Sequence, residues 1–137
     1  MKLSPYLSFD VQCETAFKFY EQCLGGKIAA LLPYEGSPMA DDVPADWANK
    51  VMHGELKLGD YVVMGSDCMP GKYEPAKGTY LMVAIDSPDK AEKAFNALAE
   101  NGTVTMPIAE TFWAARFGSL IDQFGIPWMI NCDQPAE

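Results

Sequence analysis

The densest pattern in the chain lies toward its C-terminus, in Glu110-Thr-Phe-Trp-Ala-Ala-Arg-Phe-Gly-Ser-Leu-Ile-Asp-Gln-Phe-Gly-Ile-Pro-Trp-Met-Ile-Asn131. This stretch holds two of the three Trp residues and three of the seven Phe residues. Two runs of strand-forming residues flank a turn at Phe124-Gly125. An aromatic wall with a few polar groups is typical of a small-molecule pocket, and equally of a hydrophobic core. The surrounding sequence is needed to choose between them.

Length and charge exclude several classes of protein. A chain of 137 residues predicts one domain whose hydrophobic core is large enough to be stable without disulfides or a structural metal. No apolar run approaches the roughly 18 residues of a membrane span, and the N-terminus lacks the apolar region of a signal peptide. The net charge of -9 disfavours contact with nucleic acid. We therefore expect a cytoplasmic protein without a membrane or nucleic-acid partner.

The four cysteines form no C-x-x-C pair and show no zinc spacing. In a reducing compartment they are expected to be small buried hydrophobic residues. A catalytic or redox-active cysteine is the alternative.

The first half of the chain predicts the order strand, helix, strand, strand, strand. Strands are predicted at 3–9, 27–34, 51–58 and 61–65, and a helix at 13–24 closed by Gly25-Gly26. The apolar stripe of this helix is predicted to be Ala16, Phe19, Tyr20, Cys23 and Leu24. A long loop at 33–49 is either functional or a tolerated insertion.

The second half repeats this order. Strands are predicted at 79–85, 103–109, 115–122 and 126–131, and a helix at 88–100 that begins after Ser87 and Pro88. Asp10 and Asp86, Phe19 and Phe95, and Gly26 and Gly102 are each 76 residues apart. Gly54 and Gly118, and Leu56 and Leu120, are 64 apart, a difference that matches the loop at 33–49. The sequence therefore predicts an α+β fold of tandem βαβββ modules, at about 1–77 and 78–137, whose mixed sheets curve around a common cavity.

This order and several stretches resemble the vicinal oxygen chelate superfamily of glyoxalases, bleomycin-resistance proteins and dioxygenases, in particular its PhnB-like branch. The resemblance spans nearly the whole chain and is carried by residues 5–9, 19–26, 53–60, 64–70, 110–113 and 122–131. It implies a small-molecule pocket and assembly as a homodimer.

The resemblance also implies where a metal would bind. Metal-using members carry four His, Gln or Glu ligands on the first and fourth strands of each module. These positions fall here near Pro5 or Tyr6, at Met64, at Thr79 or Tyr80, and at Met129. Divalent cations prefer carboxylate or imidazole ligands at such sites, so no metal cofactor is expected.

Candidate ligand contacts come from both halves. His53 is the only histidine, and it is either a base or ligand group or a histidine satisfied within the sheet. Arg116 and Asp122 have the same strand parity, so they face one cavity or form an ion pair, for which Glu110 is the other partner. Asp67 is a pocket-rim acceptor or caps backbone amides. The full set is Tyr6, His53, Asp67, Glu110, Phe112, Trp113, Arg116 and Asp122.

Three functions follow as hypotheses. The first is a protein with a metal-free pocket that binds a small molecule or acts on it, with its ligand unknown. The second is a metal-dependent lyase or dioxygenase of the glyoxalase type, in which His53, Glu55, Glu110 or Asp122 supply an unusual site. The third is a drug-sequestering protein of the bleomycin-resistance type, because an acidic aromatic cavity suits a cationic planar ligand.

Overall fold

The structure, a computed structural model, describes residues 1–135 and groups the chain into two compact units, Met1–Pro75 and Ala76–Glu137. The first unit contains β1 (Tyr6–Phe9), α1 (Cys13–Leu24), β2 (Lys27–Pro33), β3 (Val51–Leu58) and β4 (Tyr61–Asp67). The second contains β5 (Leu81–Ala84), α2 (Pro88–Leu98), β6 (Thr103–Ala109), β7 (Ala114–Ile121) and β8 (Pro127–Asp133).

Both units have the same topology. The strand order is β1-β4-β3-β2 in the first sheet and β5-β8-β7-β6 in the second. The pairs β1/β4 and β5/β8 are parallel, and all other neighbours are antiparallel. The predicted α+β fold with two βαβββ modules is confirmed. Over residues 1–135, no helix combines the length and the apolar character that a membrane crossing requires.

Several predicted element ends are wrong by a few residues. The strand predicted at 3–9 begins only at Tyr6, and the one predicted at 79–85 is limited to Leu81–Ala84. The helix predicted to reach residue 100 ends at Leu98, and Asn101 takes a positive φ of 58° after it. The loop at 33–49 contains two short 3-10 helices, Ala40–Asp42 and Ala45–Trp47.

Each helix covers one face of its own sheet through residues at i, i+3, i+4 and i+7. In α2 these are Ala91, Ala94, Phe95 and Leu98, as the sequence predicts. In α1 they are Cys13, Ala16, Phe17 and Tyr20. The predicted stripe through Phe19, Cys23 and Leu24 is wrong, because those side chains are only partly buried. Counted from Cys13, the first residue of the helix, the buried positions are i, i+3, i+4 and i+7, and Phe19 is not one of them.

The same packing contact recurs in both units and corrects the internal alignment. Phe17 lies against Gly54 of β3, and Phe95 lies against Gly118 of β7. Phe17 and Phe95 are therefore equivalent, which makes the predicted match of Phe19 with Phe95 wrong. The buried positions of the two helices are 78 residues apart, counted as 95 minus 17, rather than 76.

The glycines are needed because each phenylalanine ring occupies the space of a side chain. A methyl group added at Gly118 would lie 2.7 Å from Phe95 Cε2 and 2.9 Å from the backbone Cα of Ile108. At Gly54 the nearest atoms belong to side chains, at 3.0 Å for Phe17 Cε2 and 3.3 Å for Leu31 Cδ2. Side chains move more easily than backbone, so the second unit tolerates a larger residue less well.

We expect Gly118→Ala to lower the free energy of unfolding by about 1–3 kcal/mol, because it overpacks a rigid contact. Gly54→Ala is the matched variant and is expected to cost less. Urea unfolding followed by tryptophan fluorescence measures both. Equal stability of Gly118→Ala and the parent protein would contradict this account of the packing.

Candidate functional site

Within residues 1–75, α1 covers one face of the first sheet, and the opposite face carries no α-helix of this unit. Phe17 of α1 contacts Gly54 of β3 and Gly65 of β4, so these two glycines mark the covered face. Side chains alternate along a strand, which places their neighbours on the opposite side. Met64, the residue before Gly65, is one such neighbour. Glu55 of β3 and Tyr6 of β1 both pair with Met64 and therefore lie on the same side. The polar side chains of Tyr6 from β1 and Glu55 from β3 therefore share the helix-free face with Met64 of β4.

His53 links two of these side chains. The Tyr6 hydroxyl lies 3.1 Å from His53 Nδ1, and the ring centroids are 5.7 Å apart at a tilt of 32°. On the other side of the imidazole, Nε2 lies 3.7 Å from Glu55 Oε2. A carboxylate can only accept, so the tautomer that suits contact with Glu55 is the one with its proton on Nε2. Nδ1 is then the acceptor for the Tyr6 hydroxyl.

This cluster is accessible without being fully exposed. Tyr6 is 52% exposed, and the side chains of His53 and Glu55 are 28% and 35% exposed. Tyr6 and His53 were both predicted to contact a ligand, and the structure adds the hydrogen bond between them. Glu55 was not among the predicted ligand contacts. The signal for it was the alternation of β3, which puts residues 53 and 55 on one side.

Aromatic side chains form a second accessible group, in the second unit. Phe112 and Trp113 are packed edge to face with centroids 4.8 Å apart, and Trp113 contacts Phe117 at 5.6 Å. Phe112 is 93% exposed and Trp113 49%. Thr111 closes the turn, since its backbone N–H and its hydroxyl bond to Ala114. We call Phe112, Trp113 and Phe117 the aromatic group; Phe117 was not among the candidates predicted from the sequence.

Asp67 is buried at the end of β4 and holds the backbone together. Its Oδ1 accepts the N–H of Cys13 at 2.8 Å, and its Oδ2 accepts the N–H of Val51 at 2.9 Å. Its carbonyl accepts the Tyr34 hydroxyl at 2.7 Å. This is the amide-capping alternative of the sequence analysis. A role of Asp67 in ligand binding stays a prediction, and its carboxylate lies on the covered face.

The neighbourhood of Asp67 also affects two titratable groups. Burial, and then the charge of Asp67, raise the pKa of the Cys13 thiol, which keeps this cysteine protonated and unreactive. The same two causes, burial first, raise the pKa of the Tyr34 phenol. Cys13 and Cys132 are buried as predicted, whereas Cys23 and Cys68 are partly exposed.

Asp122 has a comparable structural position in the second unit. Its Oδ1 accepts the N–H groups of Phe124 and Ile126 at 2.8 and 3.0 Å, and its Oδ2 accepts Trp128 Nε1 at 2.8 Å. Asp122 therefore stabilises the turn between β7 and β8 and fixes the indole of Trp128, which is buried in the core. A ligand contact by Asp122 stays a prediction.

Arg116 extends toward the helix of the second unit. Its Nε donates to Glu92 Oε1 of α2 at 2.8 Å, and its Nη1 donates to the carbonyl of Ala115. The hydrogen bond to Glu92 is the main cause that raises the pKa of Arg116, and the exposed Glu110 adds a smaller electrostatic effect. The sequence analysis proposed Glu110 or Asp122 as ion-pair partners; it missed Glu92, which lies 24 residues away on another element.

The loop at 33–49 is anchored rather than loose. The Tyr34 and Glu35 N–H groups donate to the carbonyls of Lys50 and Ala48. The loop frames a cavity of about 130 Å³, lined by Tyr34 and Val43 among others. Pockets for drug-sized ligands begin at roughly 300 Å³, so this cavity is too small to be a ligand site of that kind.

Comparison with known proteins places the chain in a family. The Glyoxalase family, described as the Glyoxalase/Bleomycin resistance protein/Dioxygenase superfamily, matches residues 2–130. The chain belongs to this superfamily. It is 32% identical to protein YjdN of Escherichia coli strain K12 over 147 aligned positions, which cover 100% of both chains. The resemblance stated from the sequence is thus confirmed.

Solved structures of the superfamily agree with the fold. Protein PA1353 from Pseudomonas aeruginosa is 46% identical, with a TM-score of 0.89 over 98% of this chain and 99% of that one. The PhnB protein from Bacillus cereus has a TM-score of 0.81 at 21% identity, covering 96% of this chain and 99% of its own. The second similarity concerns the fold alone.

The metal-binding positions implied by the superfamily can be located by strand register. Tyr6 pairs with Met64 in the first unit, and Met82 pairs with Met129 in the second. The position predicted at Thr79 or Tyr80 is therefore wrong, because Met82 occupies the site equivalent to Tyr6. The first unit thus offers a phenol and a thioether and the second two thioethers, and neither set fits a divalent cation that prefers carboxylate or imidazole ligands. Across residues 1–135, no three His, Cys, Asp or Glu side chains are grouped to hold a metal ion.

We expect Asp67→Asn to lower the free energy of unfolding by about 1–3 kcal/mol, because one buried N–H loses its acceptor. The matched control is Asp60→Asn, in the exposed turn between β3 and β4, which is expected to leave stability unchanged. Urea titration of the two variants measures the difference. Coincident unfolding midpoints for both would contradict the clamping role of Asp67.

Proposed function

We propose that this superfamily member binds a small molecule on the helix-free face of its first sheet, without a divalent metal. The observation that carries the proposal is the hydrogen bond between Tyr6 and His53, flanked by Glu55. Convergent polar groups on an accessible surface are the usual means of orienting a ligand. Tyr6 occupies a position at which metal-using relatives carry a ligand, so the same place on the fold is used with different chemistry.

The ligand is expected to be polar and uncharged or cationic. Glu55 and the net charge of -9 disfavour an anion at this face. The cluster offers one acceptor carboxylate, one phenol and one imidazole, which together match hydroxyl or carbonyl groups. A guanidinium suits an anionic ligand, but that of Arg116 is engaged by Glu92.

Sequestration of a ligand without turnover is the second candidate function. The observation that favours it is the exposed aromatic group, with the carboxylate of Glu110 nearby in sequence. Aromatic faces bind planar or cationic molecules, and an acidic surface attracts cations over some distance. Assembly as a homodimer, which the resemblance implies, and the cytoplasmic location expected from the sequence belong to both candidate functions.

The binding proposal is tested by a thermal-shift screen of small polar metabolites. Compounds that raise the melting temperature of the parent protein are expected to lose this effect with Tyr6→Phe and with His53→Gln, because the orienting groups are gone. The control is Tyr61→Phe, which removes a phenol that is 78% exposed on β4. A shift that survives both site variants but disappears with Trp113→Ala would assign binding to the aromatic group and overturn the proposal.

The metal prediction is separate. Protein purified without a chelator is expected to contain far less than one equivalent of divalent metal, because the available donors are a phenol and thioethers. Elemental analysis by mass spectrometry measures this, with a chelator-treated sample as the control. A stoichiometric Zn²⁺, Ni²⁺, Mn²⁺ or Fe²⁺ would instead favour the metal-dependent lyase or dioxygenase.

A further inference from the structure

We propose that Tyr6 is a catalytic acid–base residue, and that His53 and Glu55 activate it as positioning residues. The inference rests on the proposed site and adds a reaction to it: proton transfer to or from a small molecule. It is carried by the order of the three groups, in which the phenol is half exposed and the imidazole lies between it and the carboxylate.

The geometry matches a general pattern of activated side chains. A reacting hydroxyl lies within hydrogen-bond reach of a base, and the base is oriented by a third group. The Tyr6 hydroxyl lies 3.1 Å from His53 Nδ1. The distance of 3.7 Å from Nε2 to Glu55 Oε2 is longer than a hydrogen bond, and such contacts often shorten when substrate binds. An Nε2–H that faces Glu55 leaves Nδ1 as the acceptor for the Tyr6 hydroxyl.

The proton can be followed through each step. When Tyr6 acts as the base, its own proton moves to His53 Nδ1, and the phenolate oxygen takes a proton from the substrate. The imidazolium that forms carries protons on both nitrogens, and the carboxylate of Glu55 stabilises its charge. Reversing the steps returns a proton to the substrate. No electrons are transferred, so neither an oxidant nor a reductant is needed.

The surrounding face indicates the class of substrate. Ser8 and Ser66 share the helix-free face with Tyr6, since they lie two residues along β1 and β4 from Tyr6 and Met64. Hydroxyl groups there can donate to a carbonyl oxygen while the phenol acts on the neighbouring atom. We therefore assign as substrate a small uncharged carbonyl compound with a removable proton on the adjacent carbon.

A purely structural role for the pair does not explain this arrangement equally well. Tyr6 and His53 lie on the accessible face, where a hydrogen bond contributes only about 1 kcal/mol to stability. Tyr61 lies in the same unit and is 78% exposed, compared with 52% for Tyr6. The histidine of this unit, His53, bonds to Tyr6 and not to Tyr61. Tyr61 is therefore an internal reference for an unactivated phenol.

The first experiment compares the reactivity of these two tyrosines. The full-length protein is treated with benzenesulfonyl fluoride, which forms an S–O bond to a tyrosine oxygen while fluoride leaves and the phenol proton passes to a base. Peptide mass spectrometry follows Tyr6 and Tyr61 over time. We expect Tyr6 to react at least about tenfold faster, despite its lower exposure, because a positioned base commonly accelerates by about 100-fold or more.

Variants then assign the cause. His53→Gln is expected to reduce the rate at Tyr6 to that at Tyr61, and Glu55→Gln to reduce it partly. Circular dichroism and urea unfolding show whether a variant has folded; if His53→Gln fails this check, Glu55→Gln and the parent comparison decide. Equal rates at Tyr6 and Tyr61 in the parent, an unchanged Tyr6 rate in the folded variants, or modification of His53 in place of Tyr6 would overturn the proposal.

The second experiment tests the substrate class with hydroxyacetone as the probe. Exchange of its carbon-bound protons in D₂O, followed by proton NMR, is expected to be faster with the parent protein than with Tyr6→Phe. Equal exchange in the two proteins would overturn the assigned substrate class. Neither experiment depends on the thermal-shift screen. A reactive Tyr6 without any stabilising compound would count against the binding proposal alone, and an unreactive Tyr6 in a protein that binds a compound would count against this one alone.

Discussion

The carboxylate of Asp67 is the constraint on which the first unit depends. It joins the end of β4 to the first residue of α1 and the first residue of β3, and the carbonyl of the same residue receives the Tyr34 hydroxyl. Each buried N–H would otherwise lack a partner, at a cost of about 1–3 kcal/mol. The bond ties the first residue of α1 to the end of β4, and Cys13 is one of the four helix residues that are buried against the sheet. Phe17 rather than Phe19 consequently reaches the glycines of β3 and β4.

That contact in turn decides which face of the sheet is free for chemistry. A helix can cover only one side, and alternation along β3 puts His53 and Glu55 on the other. Tyr6 reaches His53 across β4 because β1 and β3 are the two neighbours of that strand. The polar cluster is thus a consequence of strand order: residues 47 positions apart in sequence are brought into hydrogen-bond contact.

The two units share one topology but carry different side chains at equivalent positions. The equivalents of Tyr6 and Met64 are Met82 and Met129, as the matching parallel registers show. Where the first unit has Gly54 between His53 and Glu55, the second has Gly118 between Phe117 and Ser119. The internal duplication therefore kept the glycine that packing requires and changed the side chains on the free face. This pattern is expected when packing constrains one side of a strand more strongly than the other.

The sequence by itself determined the fold class, the two modules, the helix of residues 13–24 and the strand of residues 51–58, because periodicity and turn residues report local structure. It also identified Tyr6, His53 and the aromatic residues as candidates. Only the tertiary structure decided their partners. Asp67 and Asp122 accept backbone amides, Arg116 binds Glu92, and Tyr6 binds His53, all through contacts set by strand order and helix placement. Such pairings join residues that are distant along the chain, so no local pattern of residue types could have predicted them.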